Sequence, residues 1–195
     1  MAKSNTYRAG KHFLQVPGPT NLPDRILRAM DRPAMDHRGP QFAELSKRIL
    51  DRIKLIFKST DPVIIWPSSG TGAMEASIVN TLSEGDKVLM FETGHFATEW
   101  CQAARRYKVN VDFVPGDWRH GADPKIVEKK LLADKKHEIK AVMVTHNETS
   151  TGIMSRVGEV RKAIDSAKHP ALFMVDTISS LGSYNYDHQK WKVDV

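Results

Sequence analysis

Four short stretches of the sequence carry residue types that could do chemistry. Ser68-Ser69-Gly70-Thr71-Gly72 follows an apolar run and opens a helix-like segment. Free N–H groups at such a start, with the positive end of the helix dipole, make an anion site, and glycines let the backbone approach a ligand closely. Taken alone, the stretch fits a phosphate cradle and an ordinary capped helix start equally well. It lacks the Gly-Lys-Ser/Thr ending of a nucleoside-triphosphate loop, and Glu75 stands where a dinucleotide fingerprint needs its third glycine.

The second stretch, Glu92-Thr93-Gly94-His95-Phe96, places an aromatic where it could stack on a flat ring, although core packing is the commoner use of such a residue. His95 and Glu99 stand one helical turn apart with no further ligand spaced to complete a metal site, so no metal is expected. In the third, "THNETSTGIM" (145–154), the five residues just before Gly152, 147–151, all carry hydrogen-bonding side chains, more than a simple turn requires. Asn147-Glu148-Thr149 also matches a glycosylation acceptor, which is set aside in the absence of any secretion signal. In the fourth, Asp176 closes the apolar run "ALFMV", where it could cap the next turn or pair with a cation.

The elements that must position these residues follow from periodicity. Strand-like runs occur at 62–66, 87–91, 109–114, 140–145 and 171–175, with helix-length segments at 71–83, 96–107, 123–135 and 156–168. Alternating β and α with uninterrupted apolar strands predicts a mostly parallel sheet with helices on both faces. Upstream lie an extended arm (1–16), a proline-rich turn "VPGPTNLP" (16–23), a short helix at 24–30 with Asp24 as its cap, and a long amphipathic helix bearing Phe42, Leu45, Ile49, Ile53 and Ile56. Ligands of open parallel sheets bind beyond the carboxyl ends of the strands, where all four stretches fall.

One ligand would use all four: a phosphate for Ser69 to Thr71, a flat ring for Phe96, a ring hydroxyl for Thr149, and a protonated ring nitrogen for Asp176. Pyridoxal 5'-phosphate has each of these groups, and a carboxylate on its pyridine nitrogen makes the ring an electron sink.

The same motifs carry a family resemblance. "VPGPTNLP", "SSGTGAMEA", "THNETSTG", "LFMVDTISSLGS" and the closing "WKVDV" resemble the class V, fold-type I aminotransferases, nearest the serine–glyoxylate and alanine–glyoxylate branches. "DHRGP" (36–40) and "KHPALFMVD" (168–176) lean toward the serine–glyoxylate branch. The resemblance implies that Ser69, Gly70 and Thr71 hold the phosphate, that Phe96 stacks on the ring and that Ile178 packs on its other face. It further implies that Thr149 bonds the 3'-oxygen, that Asp176 pairs with the pyridine nitrogen, and that Pro17, Gly18 and Pro19 line the substrate pocket. It divides the chain into an arm and pocket turn (1–23) and an incomplete cofactor-binding large domain (24–195). Substrates would be a small amino acid and a 2-oxo acid, with two subunits forming each site of a homodimer. The lysine that carries the cofactor in this family follows a "GVDV"-like segment, so no lysine up to Val195 is assigned that role, and the sheet is expected to leave an edge unpaired. Two other readings are a cysteine desulfurase or lyase, whose relatives stack a histidine where Phe96 stands, and a non-catalytic interaction module.

Bulk properties agree. The net charge of +6 comes from 29 scattered basic residues. The densest basic group, Lys129-Lys130 with Lys135-Lys136, shares a helix-like segment with Glu128 and Asp134, which reads as a solvated face rather than a nucleic-acid surface. No apolar run approaches membrane-span length. The single cysteine, Cys101, fits a reducing compartment; a cytoplasmic setting is expected, with peroxisome and mitochondrion left open.

Overall fold

The computed structural model describes Gly10 and residues 13–195, so most of the expected arm at 1–16 lies outside the described residues. The chain divides into two compact units, one ending at Glu44 and the other running from Leu45 to Val195.

In the first unit the Gly18–Pro19 peptide is cis, and the Leu14 N–H donates to Asn21 Oδ1 at 2.8 Å. Helix α1 (Asp24–Met30) follows. Its cap is Pro23, not the expected Asp24. The proline ring holds φ at −59° beside an extended ψ of 143°, a ready entry to a helix, and its carbonyl accepts from the Ile26 and Leu27 N–H groups. Asp24 becomes the first helical residue, where a carboxylate favours the positive dipole end. Helix α2 (Pro40–Phe57) begins in this unit and continues into the second.

The second unit continues with α3 (Gly70–Thr81), β1 (Lys87–Phe91), α4 (His95–Arg106), β2 (Asn110–Val114), α5 (Pro124–Ala133), β3 (Ile139–Thr145), α6 (Val157–Ser166) and β4 (Leu172–Asp176). The strands are all parallel, in the order β2-β1-β3-β4. Lys135 and Lys136 lie past the end of α5, and Lys130 within it pairs with Asp112 of β2 at 2.7 Å.

Strand alternation sorts the core into two layers. Leu89, Phe91, Val142, Val144, Phe173 and Val175 face one cluster, closed by Val127 and Leu131 of α5 and by Val157, Val160, Ala163 and Ile164 of α6. Val88, Met90, Ala141, Met143 and Met174 face the other, closed by Met74 and Ile78 of α3 and by Trp100, Cys101, Ala103 and Ala104 of α4. A register shift at Lys87/Val88 skips Lys140, which is why Ile139 joins the first cluster out of phase with Val142.

The expected strand at 62–66 does not form. The segment carries no ladder, and Ile64, Ile65 and Trp66 are 81%, 56% and 56% exposed. The edge of β4 is already engaged: Asp194 and Val195 N–H groups donate to the Phe173 carbonyl, and the Val175 N–H donates to Val195. The segment also does not join the outer edge of β2, which pairs only with β1, so composition placed it in the core and pairing did not. The apolar stripe of α2 is likewise only partly covered, with Ile49 and Ile56 exposed and Leu45 and Ile53 half-buried.

Among the described residues, no helix is long and apolar enough to cross a membrane.

Candidate functional site

The strand order reverses between β1 and β3: the chain leaves β1 for β2 on one side and returns to β3 on the other. The carboxyl ends of these strands therefore border the crevice where open parallel sheets bind ligands.

Helix α3 starts beside this edge. Ser69 is its cap, with Oγ accepting from the Gly72 N–H at 3.2 Å. A Cβ on Gly72 would stand 2.0 Å from Ser68 Oγ, so only glycine fits beneath that side chain. The helix start is capped, and Gly70 and Thr71, whose N–H groups lie in the first turn beyond that capping bond, are exposed. A Cβ on Gly70 would lie 3.7 Å from Ile178 Cδ1, which brings the loop after β4 against the start of α3.

Asp176 ends β4 level with Thr145 of β3. Its Oδ1 accepts from the Ile178 N–H at 2.9 Å, while Oδ2 is buried without a partner. Burial pushes its carboxyl above the usual carboxylate range; the Ile178 N–H pulls it back, and the negative charge of Glu148 pushes it further up. Thr93 and Thr145 also bury unpartnered hydroxyls at the same edge. An orphaned buried carboxylate oxygen costs several kcal/mol unless something cationic or protonated meets it, on the order of 1–3 kcal/mol even for a neutral polar group. Asp176 thus caps a turn with one oxygen and leaves the other without a partner.

Phe96 is half-buried and packs against the α3–α4 core layer, its ring edge-on to His95 with centroids 5.2 Å apart. Thr149, also half-buried, shares a short hydrogen bond with the Ser179 hydroxyl. Ile178 is 65% exposed. Ser69, Gly70, Thr71, Phe96, Thr149, Asp176 and Ile178 all belong to the second unit; Pro17, Gly18 and Pro19 belong to the first and are described with it.

Glu148 is the residue that sequence reasoning passed over. It is fully buried, and its carboxylate accepts from the N–H groups of Phe96, Ala97 and Ser150 at 3.1–3.2 Å and from Ser150 Oγ at 2.7 Å. Its signal was a carboxylate set in a polar loop after a buried strand, with Gly94 far away in sequence. A Cβ on Gly94 would come within 2.5 Å of Glu148 Cγ.

Behind Asp176, the imidazole of His146 is 2% exposed and ringed by Tyr184, Tyr186 and Trp191 with centroids 5.7–6.0 Å away. Burial lowers its proton affinity, and burial does the same first and foremost for His169 and His188. A histidine whose folded pKa is depressed below its unfolded value of 6.5 stabilises the fold above that pH, and the contribution is lost as pH falls through the folded pKa. The melting temperature of the protein is therefore expected to be flat from pH 8 to 7 and to drop from pH 6.5 to 5. A melting temperature unchanged across that span would contradict the burial of these rings.

Comparison with known proteins adds to this geometry. The family described as Aminotransferase class-V matches residues 12–195. The serine–glyoxylate aminotransferase of Methylorubrum extorquens is 49% identical over 190 residues, 97% of this chain and 47% of that protein. The L-aspartate–glyoxylate aminotransferase of Paracoccus denitrificans is 44% identical over 181 residues, 92% of this chain and 46% of that protein. Among solved structures, an alanine–glyoxylate aminotransferase from Nostoc sp. superposes with a TM-score of 0.83 at 28% identity, covering 97% of this chain and 49% of that one. The chain spans about half the length of the curated relatives it matches.

Proposed function

The chain belongs to the class-V aminotransferase family, and from that premise we propose that it is the cofactor-binding part of a pyridoxal-phosphate enzyme that moves an amino group from serine or alanine to glyoxylate. The products are glycine and a 2-oxo acid. The observation that carries the cofactor reading is Asp176 Oδ2, buried and unpartnered at the strand edge where a protonated ring nitrogen would meet it. Relatives named for glyoxylate transamination support the reaction and the acceptor.

The residues present fit the group. The N–H groups of Gly70 and Thr71, with Ser69, hold its phosphate at the positive end of α3. Phe96 and Ile178 supply apolar surface for the two ring faces, and the Thr149 hydroxyl, steadied by Ser179, donates to the 3'-oxygen. Pyridoxal phosphate, when bound, supplies an electron sink for the bonds at the amino acid's Cα. Asp176 would then face the ring nitrogen as the carboxylate and hold a proton there. Its raised proton affinity in the ligand-free protein falls once a cation stands beside it, because an opposite charge at contact outweighs burial. Residues 24–195 form this cofactor-binding domain, and 1–23 contribute the arm, with Pro17, Gly18 and Pro19 lining the substrate pocket. The active species is a homodimer acting on small amino and 2-oxo acids in the cytoplasm.

The test uses the full-length product. Supplied with pyridoxal phosphate, glyoxylate and serine, alanine or aspartate in turn, it is expected to form glycine with at least one donor. Absence of cofactor-dependent glycine with all three overturns the reading.

A further inference from the structure

The crevice between β1 and β3 holds a protein carboxylate where such a crevice commonly holds a ligand. Glu148 reaches from the loop after β3 to the first turn of α4, across the point where the strand order reverses. The Phe96 and Ala97 N–H groups that a bound anion would have used are taken: Oε1 accepts from Phe96 at 3.2 Å and Oε2 from Ala97 at 3.1 Å. The two loops are tied again on either side, since the His95 N–H donates to Ser150 Oγ at 3.0 Å and Thr151 Oγ1 donates to the Thr93 carbonyl. Gly94 has no side chain because Glu148 and Ser150 fill the space that a Cβ would need. Gly94 itself offers no side chain to cap α4, so the Phe96 N–H in its first turn is met by a residue 52 positions further along the sequence.

Resting on the cofactor reading above, we propose that Glu148 is a positioning residue: its buried carboxylate clamps the start of α4 and so fixes where the Phe96 ring stands relative to Asp176 and Thr149. The mechanics follow from adjacency. Phe96 is the very residue whose N–H the carboxylate grips, and Thr149 is the next residue along the chain from Glu148. Any rotation of α4 about its axis that carried the ring away from the sheet edge would break a charge-assisted hydrogen bond in a water-free setting. The carboxylate serves this purpose better than an amide because each of its two oxygens accepts, one from each successive N–H. Glu148 touches no reacting atom in this arrangement and acts through Phe96.

The experiment uses the full-length holoenzyme and reads cofactor affinity by fluorescence, ring orientation by circular dichroism in the cofactor's visible band, and, in the apoprotein, amide hydrogen exchange at Phe96 and Ala97. In Glu148→Gln, one acceptor is replaced by a donor that cannot receive either N–H. Exchange at the two amides is expected to rise at least 10-fold, cofactor affinity to fall about 10-fold, and the visible dichroic band to lose half or more of its amplitude at saturating cofactor. Phe96→Ala should lower affinity by a similar factor, and the double variant should be no more than about 3-fold worse than either alone. Additive losses near 100-fold, or a dichroic band unchanged in Glu148→Gln, overturn the proposal. Should Glu148→Gln fail to accumulate, Ser150→Ala removes one donor to the same oxygen and must show the same non-additivity with Phe96→Ala, with independence again overturning it. Wild-type protein that binds no pyridoxal phosphate would refute the cofactor reading instead; there the apoprotein exchange of Phe96 and Ala97 still decides whether the clamp exists.

Discussion

Replacing Asp176 by asparagine is expected to lower glycine formation by the full-length enzyme about 10²–10³-fold, the scale of removing one preorganised electrostatic partner, while making the ligand-free protein more stable. The two effects come from one oxygen. In the absence of cofactor, Oδ2 is buried without a partner, and burial raises the carboxyl's pKa above 3.8. A carboxyl whose folded pKa exceeds its unfolded value binds its proton more tightly when folded, so the fold loses stability as pH rises from 3.8 through the folded pKa and stays penalised above it. Asparagine carries no charge at any pH and escapes that penalty. The ligand-free Asp176→Asn protein should therefore melt above wild type at pH 7, and the two should converge as pH falls below 3.8. With cofactor bound, the order reverses, because an amide cannot keep the ring nitrogen protonated. Scanning calorimetry of both proteins, with and without cofactor, checks both halves. A variant that melts lower without cofactor and retains activity would mean that Asp176 is only a turn cap.

Phe173→Ala should produce the largest purely structural loss, about 3–5 kcal/mol by the usual cost of truncating a buried phenylalanine. Phe173 is wholly buried in β4 and heads the set of large side chains with no exposure. The cluster it belongs to is built from α5, α6 and three strands, so no single element can move in to fill the space. The cost should appear in full in chemical denaturation of the full-length protein and spread to the site, since Phe173 and Asp176 share one five-residue strand. Phe173→Leu should recover most of it, because Leu refills much of the space. A loss below 1 kcal/mol for the alanine variant would show that the layer is not packed as described.

How much of this was legible in the residues depends on the range of the interaction that fixes each element. Periodicity located β1 to β4 and α3 to α6 within one or two residues, because their apolar faces are buried by partners present in the chain. It failed at 62–66, where "PVIIW" has the composition of a buried strand but pairs with none of the four strands. Asp24 missed its capping role by one position, since the proline before it already had the required dihedrals. The strand ends drew attention to Ser69, Phe96, Thr149 and Asp176, as their types are unusual at the close of apolar runs. Glu148 escaped notice because its meaning is relational: a glutamate in a polar loop looks solvated until Gly94, 54 positions earlier, is seen to make room for it. The Ser179 bond to Thr149 is of the same kind. Local pattern names the residues that could act, and long-range fit decides which others hold them in place.

The parallel register that sets Asp176 level with Thr145 turns the ladder into a ruler. Deleting one residue within Leu172–Asp176 would exchange the faces of Phe173 and Met174 and draw the carboxylate back by about 3.3 Å, one strand step. Deleting one from the exposed run at 117–120 leaves every ladder pairing where it was. Length can thus vary in that exposed loop and not within the strand, so the count of residues in β4 is inherited as strictly as the aspartate it delivers.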